Sequence, residues 1–219
     1  MTRRTLDLLL SAGGAALAAL LLILGLVMTS NANFAKHYVT NQLAAQNITF
    51  KPAAALTPAE SSSPCLVRYA GQALTTGKQA ECYANDFIGL HLESVAAGMS
   101  YAEIGVPQAA LRDQVAAAET AHDPALPALQ AKLAEISTQR DTLFKGETLR
   151  GLLLTSFGFS VFGVKGGQVG TVAYLASGLV AVLALLGVAH GLRAKGTASV
   201  PTPKLSALAG PLAPAPANA

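Results

Sequence analysis

Two long apolar runs frame this chain. Residues 8–28 carry no charge and no proline. At 1.5 Å per residue they make about 31 Å of helix, close to the hydrocarbon thickness of a bilayer. Backbone polar groups cannot stay unpaired in lipid, so the run predicts a membrane-spanning helix. Residues 169–192 form the second run, with Lys165 and Gln168 before it and Arg193 and Lys195 after it. A shorter apolar stretch, residues 152–163, lies between Arg150 and Lys165. We read residues 151–168 as an interfacial or re-entrant segment leading into the second span. The alternative is a third crossing, which would put the C-terminus outside.

Between the runs the pattern is helical and punctuated. Thr57-Pro58-Ala59-Glu60 combines a capping threonine, a proline at the first helical position and a reciprocal glutamate. Thr76-Gly77-Lys78-Gln79 and Ser100-Tyr101-Ala102-Glu103 repeat the capping signature. From the second box, Ala80, Ala84, Phe87, Ile88, His91 and Val95 recur at helical spacing and predict one apolar stripe, with His91 in the core. Pro107 opens a stretch with Leu111, Val115 and Ala118 on one face. Asp123-Pro124 caps the longest soluble helix. Along it Leu126, Leu129, Leu133, Ile136 and Leu143 form a seam, interrupted by Arg140. Residues 29–46 hold no turn residue, so the first span should extend beyond the membrane. Asn47-Ile48-Thr49-Phe50 reads as a short strand without an obvious partner.

The fold expected is therefore an all-α membrane protein, two transmembrane helices flanking a small extracytoplasmic helical bundle at residues 29–150. Its large apolar residues are few, so its core should be thin and its surface should pack on the membrane or on a partner.

Charge sets the orientation. The chain is 52% hydrophobic and only 12% charged, about half the charge of an ordinary soluble domain. Arg3 and Arg4 precede the first span, and Arg193, Lys195 and Lys204 follow the second, so both termini (1–7 and 193–219) should be cytoplasmic. The ten basic residues between the runs face eleven acidic ones and form no cluster with aromatics, which argues against nucleic acid. The rival reading of the first run is a cleaved signal peptide, but the run is long and Thr29-Ser30-Asn31-Ala32-Asn33 is a poor cleavage site. The Pro- and Ala-rich residues 193–219 read as a disordered cytoplasmic tail.

Candidate chemistry is sparse. Cys65 and Cys82 lie on the expected outer side, where disulfides persist, and closing their loop is worth about 3 kcal/mol in the chain-entropy model. His37, His91, His122 and His190 are scattered. His91 with Glu93 or Asp86 and a distant His37 is the one conceivable metal set, and its spacing does not support one. No nucleophile elbow, Walker loop, dinucleotide fingerprint, haem-attachment sequence or zinc-protease helix is present, and no cofactor is implied.

Small residues recur four apart in the spans: Gly163 and Gly167, Gly166 and Gly170, Gly187 and Gly191, with Ser11 and Ala15, Gly14 and Ala18 in the first. Such spacing lets helices approach closely, either the two spans on each other or on another membrane protein. The candidate partner face is Leu129, Leu133, Ile136, Leu143 and Phe144, beside the 163–170 segment. For the leucines, ordinary core is the plainer reading.

Three stretches carry a resemblance: Thr29-Ser30-Asn31-Ala32-Asn33-Phe34-Ala35-Lys36, the run from Pro64-Cys65-Leu66-Val67-Arg68-Tyr69 through Gly77-Lys78-Gln79-Ala80-Glu81-Cys82 to His91, and Thr142-Leu143-Phe144-Lys145-Gly146-Glu147. Together they resemble a family of two-pass membrane proteins of actinobacteria, over most of the chain up to the end of the second span. Members often carry the label aromatic ring-opening dioxygenase, small subunit. That chemistry uses ferrous iron held by histidines and a carboxylate. The resemblance implies an envelope location and no established activity, so it carries over no functional residue. The function expected is a non-enzymatic accessory or scaffold subunit of the envelope, embedded in lipid and bound to a membrane-protein partner or to its own copies. An envelope sensor or ligand-binding module is the second reading. An enzyme of the labelled type and a transporter are the others.

Overall fold

The computed structural model describes residues 3–193. The expected tail therefore lies outside the described residues, except for Arg193. Among those residues all the regular structure is helical, with no strand. Two helices are long and apolar enough to cross a membrane. The first, α1, runs Arg3–Ala45, so the helix of the first apolar run continues through 29–45 without a break, as the lack of turn residues there predicted. Short helices follow: α2 (Pro58–Ser61), α3 (Pro64–Tyr69), α4 (Gly77–Cys82) and α5 (Leu90–Val95), with α4 and α5 joined by a π-helical stretch, Tyr83–Gly89. Then come α6 (Gly105–Ala121) and α7 (Leu126–Arg193), a helix of 68 residues.

Residues 151–168, expected as an interfacial or re-entrant segment, make no re-entrant turn. They are uninterrupted helix inside α7 and not a separate element. A re-entrant turn needs a break in the hydrogen-bond ladder, and none occurs here; Gly163 and Gly167 pack against Ala35 and Ala32.

The chain divides into two compact units: Met1–Leu26 with Gly170–Ala219, and Val27–Val169. In the first, the start of α1 and the end of α7 lie antiparallel. A Cβ on Gly187 would collide with Ser11, one on Gly14 would stand 3.3 Å from the Ala184 Cβ, and one on Gly25 would meet the Tyr174 ring at 2.7 Å. Ser11, Ala18, Ala173, Ser177 and Ala184 are buried along the seam. The large side chains point the other way: Leu10, Leu20, Leu175 and Leu185 are all exposed.

The second unit has its own core. Val39 and Leu43 of α1, Phe50, Leu66 of α3, Leu74, Ala80, Ile88, Leu92, Ile104, and Leu143 and Leu153 of α7 cluster together. Phe50 meets Tyr69 and Tyr83 at ring distances of 5.6 and 5.3 Å. Two of the three predicted capping boxes start helices, Thr57 with Glu60 and Thr76 with Gln79. The third also closes, Ser100 N–H to Glu103 and Glu103 N–H to the Ser100 hydroxyl. It makes only a turn, and α6 begins at Gly105. The expected strand at 47–50 finds its partner in a single bridge between Thr49 and Ala73. Gly71 enters that bridge with φ +72°, a left-handed backbone that glycine adopts at no steric cost. His91, expected in the core, is exposed, and Leu92 takes its place.

Candidate partner-binding site

The α6–α7 hairpin is built from the leucine seam. His122 closes α6 in the left-handed conformation, and the Asp123 carboxylate accepts from Ala125 N–H at 2.8 Å to begin the return. Gln108 Nε2 donates to the Ser137 hydroxyl at 2.9 Å, and Gln130 Nε2 donates to Glu119 at 3.3 Å. These pairs set α6 antiparallel to the start of α7. Leu129, Leu133 and Ile136 are half-buried on the α7 face that carries Ser137, at the i, i+4, i+7 spacing of one helical stripe. Leu143 is 2% exposed, in the core. Of the five residues expected to form a partner face, four are thus spent wholly or partly on the chain's own packing.

Phe144 is the fifth, and it is 54% exposed. Its ring lies 5.7 Å from that of Tyr101, and the Arg140 guanidinium stands 4.6 Å over the Tyr101 ring. Arg140 Nη1 donates to Gln108 Oε1 at 2.6 Å, which fixes the guanidinium plane, while its Nε–H is buried without an acceptor. Together with Gln108, Ser137 and Asp141 these groups line a shallow cleft of about 240 Å³. The sequence signal for this site was the charge that interrupts the seam: Arg140 breaks the leucine pattern because it faces Tyr101. Tyr101 itself was read only as part of a capping box.

Gly163, Gly167, Gly187 and Gly191 of α7 lie against α1. A Cβ on Gly163 would stand 2.9 Å from the Ala35 Cβ, and one on Gly167 would stand 3.5 Å from the Ala32 Cβ. Gly187 lies against Ser11, Gly191 against Asp7 at 3.2 Å, and Gly170 is buried.

Cys65 and Cys82 are joined in a disulfide, with Cα atoms 6.0 Å apart. The bridge ties α3 to α4. With Asp86 these cysteines are the one group of metal-ligand type that converges among the described residues, and both sulfurs are already bonded to each other. The four histidines stand apart. His37 and His122 are exposed, His91 Nε2 lies 3.6 Å from Glu60, and His190 Nε2 lies 3.8 Å from Asp7.

Glu60 is the strongest electrostatic feature. Its carboxylate is buried and accepts from Lys51 Nζ at 2.7 Å and from Thr57 N–H at 2.7 Å. The Lys51 hydrogen bond, then that of Thr57, outweigh burial and hold its pKa down at about 2. With both oxygens occupied, Glu60 fastens α2 to the segment after α1. Burial pushes the Tyr83 hydroxyl up, and Ser100 lowers Glu103 through its N–H and hydroxyl.

Two larger clefts open in the same unit. One, of about 420 Å³, is mostly apolar and lies between Tyr38 and Leu43 of α1 and Leu152 and Phe159 of α7. The other, of about 440 Å³, is bounded by residues 32–40 of α1, the start of α4 and residues 160–167 of α7.

These features define a helical protein with two helices long and apolar enough to cross a membrane and a disulfide-stapled second unit. No protein-family model, no curated protein and no solved structure matches the chain.

Proposed function

We propose that this chain is a two-pass membrane protein of the cell envelope that serves as an accessory or scaffold subunit, docking a partner outside the cytoplasm. Exposed leucines on both apolar helices support lipid contact. Arg3 and Arg4 before the first span and Arg193, Lys195 and Lys204 after the second support cytoplasmic termini. The Cys65–Cys82 bridge supports an oxidising compartment for the unit between them. The envelope location implied by the resemblance to actinobacterial two-pass proteins agrees with this reading.

One observation carries the partner reading. Tyr101, Arg140 and Phe144 form an uncovered aromatic–arginine cluster on an otherwise polar hairpin. Aromatic residues and arginine are the types that anchor protein interfaces; the aromatics bury large area at low entropic cost, and Arg140 is already held in place by Gln108. The test is a photo-crosslinking residue at position 144 in the native membrane, followed by gentle solubilisation. A stoichiometric membrane partner supports the proposal; a protein recovered alone and uncrosslinked overturns it. The apolar cleft at Tyr38, Leu43, Leu152 and Phe159 favours a second reading, a module that binds an apolar ligand.

A further inference from the structure

We propose that the cleft between α1, the start of α4 and α7 binds the phosphate headgroup of an anionic phospholipid. This rests on the membrane-spanning reading above. The polar side chains among its lining are Lys36, Lys78, Asn33, Thr40, Thr76 and Ser160, set on a mostly apolar surface. Ser160, Gly163, Val164 and Gly167 form its α7 wall.

Three of these side chains are unspent. Among the described residues the side chains of Lys36, Asn33 and Thr40 have neither an ion pair nor a hydrogen bond. Thr40 is notable because the helical threonines at 120, 138, 142, 148 and 155 all turn their hydroxyls back onto the carbonyl four residues earlier. Lys78 is held at the rim, 2.9 Å from Glu81 and 4.8 Å over the Phe157 ring. Its pair with Glu81 is a surface pair on one helix, which contributes little and yields readily to a phosphate.

Depth selects the ligand. Lys36 stands eight residues beyond the first apolar run, about 12 Å of helix, and Gly163 six residues before the second, about 9 Å. The headgroup layer extends about 5–8 Å beyond the hydrocarbon on each side. Side chains of a helix lean toward its N-terminus, which for α1 is the direction of the membrane. A lysine stem then bridges the remaining distance, as snorkelling lysines do. The occupant within reach is therefore a lipid phosphate from the surrounding leaflet. A net negative headgroup suits two lysines better than a zwitterionic one, whose own cation competes with them.

The experiment uses the full chain reconstituted in phosphatidylcholine bilayers, with spin-labelled phosphatidylglycerol or spin-labelled phosphatidylcholine as the probe. Selectivity is the ratio of the two immobilised fractions. The expected result is a preference for phosphatidylglycerol that falls about five-fold for each of Lys36→Ala and Lys78→Ala. Lys36→Arg and Lys78→Arg should restore it, and Lys132→Ala, on the α6–α7 hairpin, should leave it unchanged. Equal selectivity in the alanine variants overturns the site. Displacement of the labelled lipid by inorganic phosphate overturns the lipid as occupant in favour of a soluble anion. Release of the protein from native membranes by alkaline carbonate without detergent would instead sink the membrane reading itself.

Discussion

The Ser177 hydroxyl donates to the backbone carbonyl of Ala18 at 2.8 Å, joining two helices 159 residues apart in sequence. It sits in a seam of small residues where the helices touch backbone to backbone. Under the membrane-spanning proposal, losing this bond through Ser177→Ala should cost only about 0.6 kcal/mol, the average for such bonds between membrane helices. Gly187→Leu should do far more, because Ser11 occupies the space its side chain would need. Oxidative crosslinking of a Gly14→Cys, Ala184→Cys pair reads the contact directly. The crosslink should form readily in the parent background and slow markedly with Gly187→Leu. An unchanged rate would show that the seam does not hold the pair together.

The disulfide closes a loop across a sequence separation of 17. Cys65→Ser with Cys82→Ser should lower stability by about 3 kcal/mol. The urea midpoint of the double variant measures this. In the parent protein, both thiols should resist alkylation until a reductant is added.

Glu60 makes stability depend on pH in one direction. Its carboxyl is depressed from 4.5 to about 2, chiefly by Lys51. Between those values the folded state binds fewer protons than the unfolded one. The contribution is therefore complete above pH 4.5 and is lost as pH falls towards 2. The full shift corresponds to about 3 kcal/mol. Lys51 is about a third exposed, and solvent screening there reduces the contribution to about 2 kcal/mol. Glu60→Gln should be destabilised by that amount at neutral pH. The two proteins should converge near pH 2 in paired denaturation curves; parallel curves would rule the linkage out.

Adjacent residues on α7 should behave oppositely. Leu143 is buried, and Leu143→Ala should cost about 2–5 kcal/mol through the cavity it leaves. Phe144 is exposed, and Phe144→Ala should leave thermal stability within about 0.5 kcal/mol of the parent. Under the partner proposal it should nonetheless abolish co-purification. Calorimetry and pull-down on the same two variants separate the roles.

The apolar runs and the caps were readable because each is a local signal. Thr57 with Glu60 and Thr76 with Gln79 close as their spacing predicted. His91 was misplaced for a definite reason. The stripe was drawn with one period, but Tyr83–Gly89 is a π-helix, whose wider turns retard the register. The buried positions consequently fall at Ala80, Ala84, Ile88, Leu92 and Ala96, spaced by four, and His91 rotates out to meet Glu60. The partner of Thr49 was invisible because a one-residue bridge to Ala73 leaves no alternating pattern. Of the candidate site, Phe144 was legible as an apolar residue one step off the seam. Its pairing with Tyr101 was not, since that depends on how α6 folds back.

The packing of Ala32 and Ala35 on Gly163 and Gly167 brings the two ends of the Val27–Val169 unit side by side. A few glycines and serines would join those ends, and the turn at His122 and Asp123 would supply a new opening. In such a circular permutant, contacts that now close the longest loop of the unit become local ones. The pairs Gln108–Ser137 and Glu119–Gln130 become the distant ones in exchange, so the permuted domain should keep the same core while closing the α1–α7 contacts before the α6–α7 hairpin.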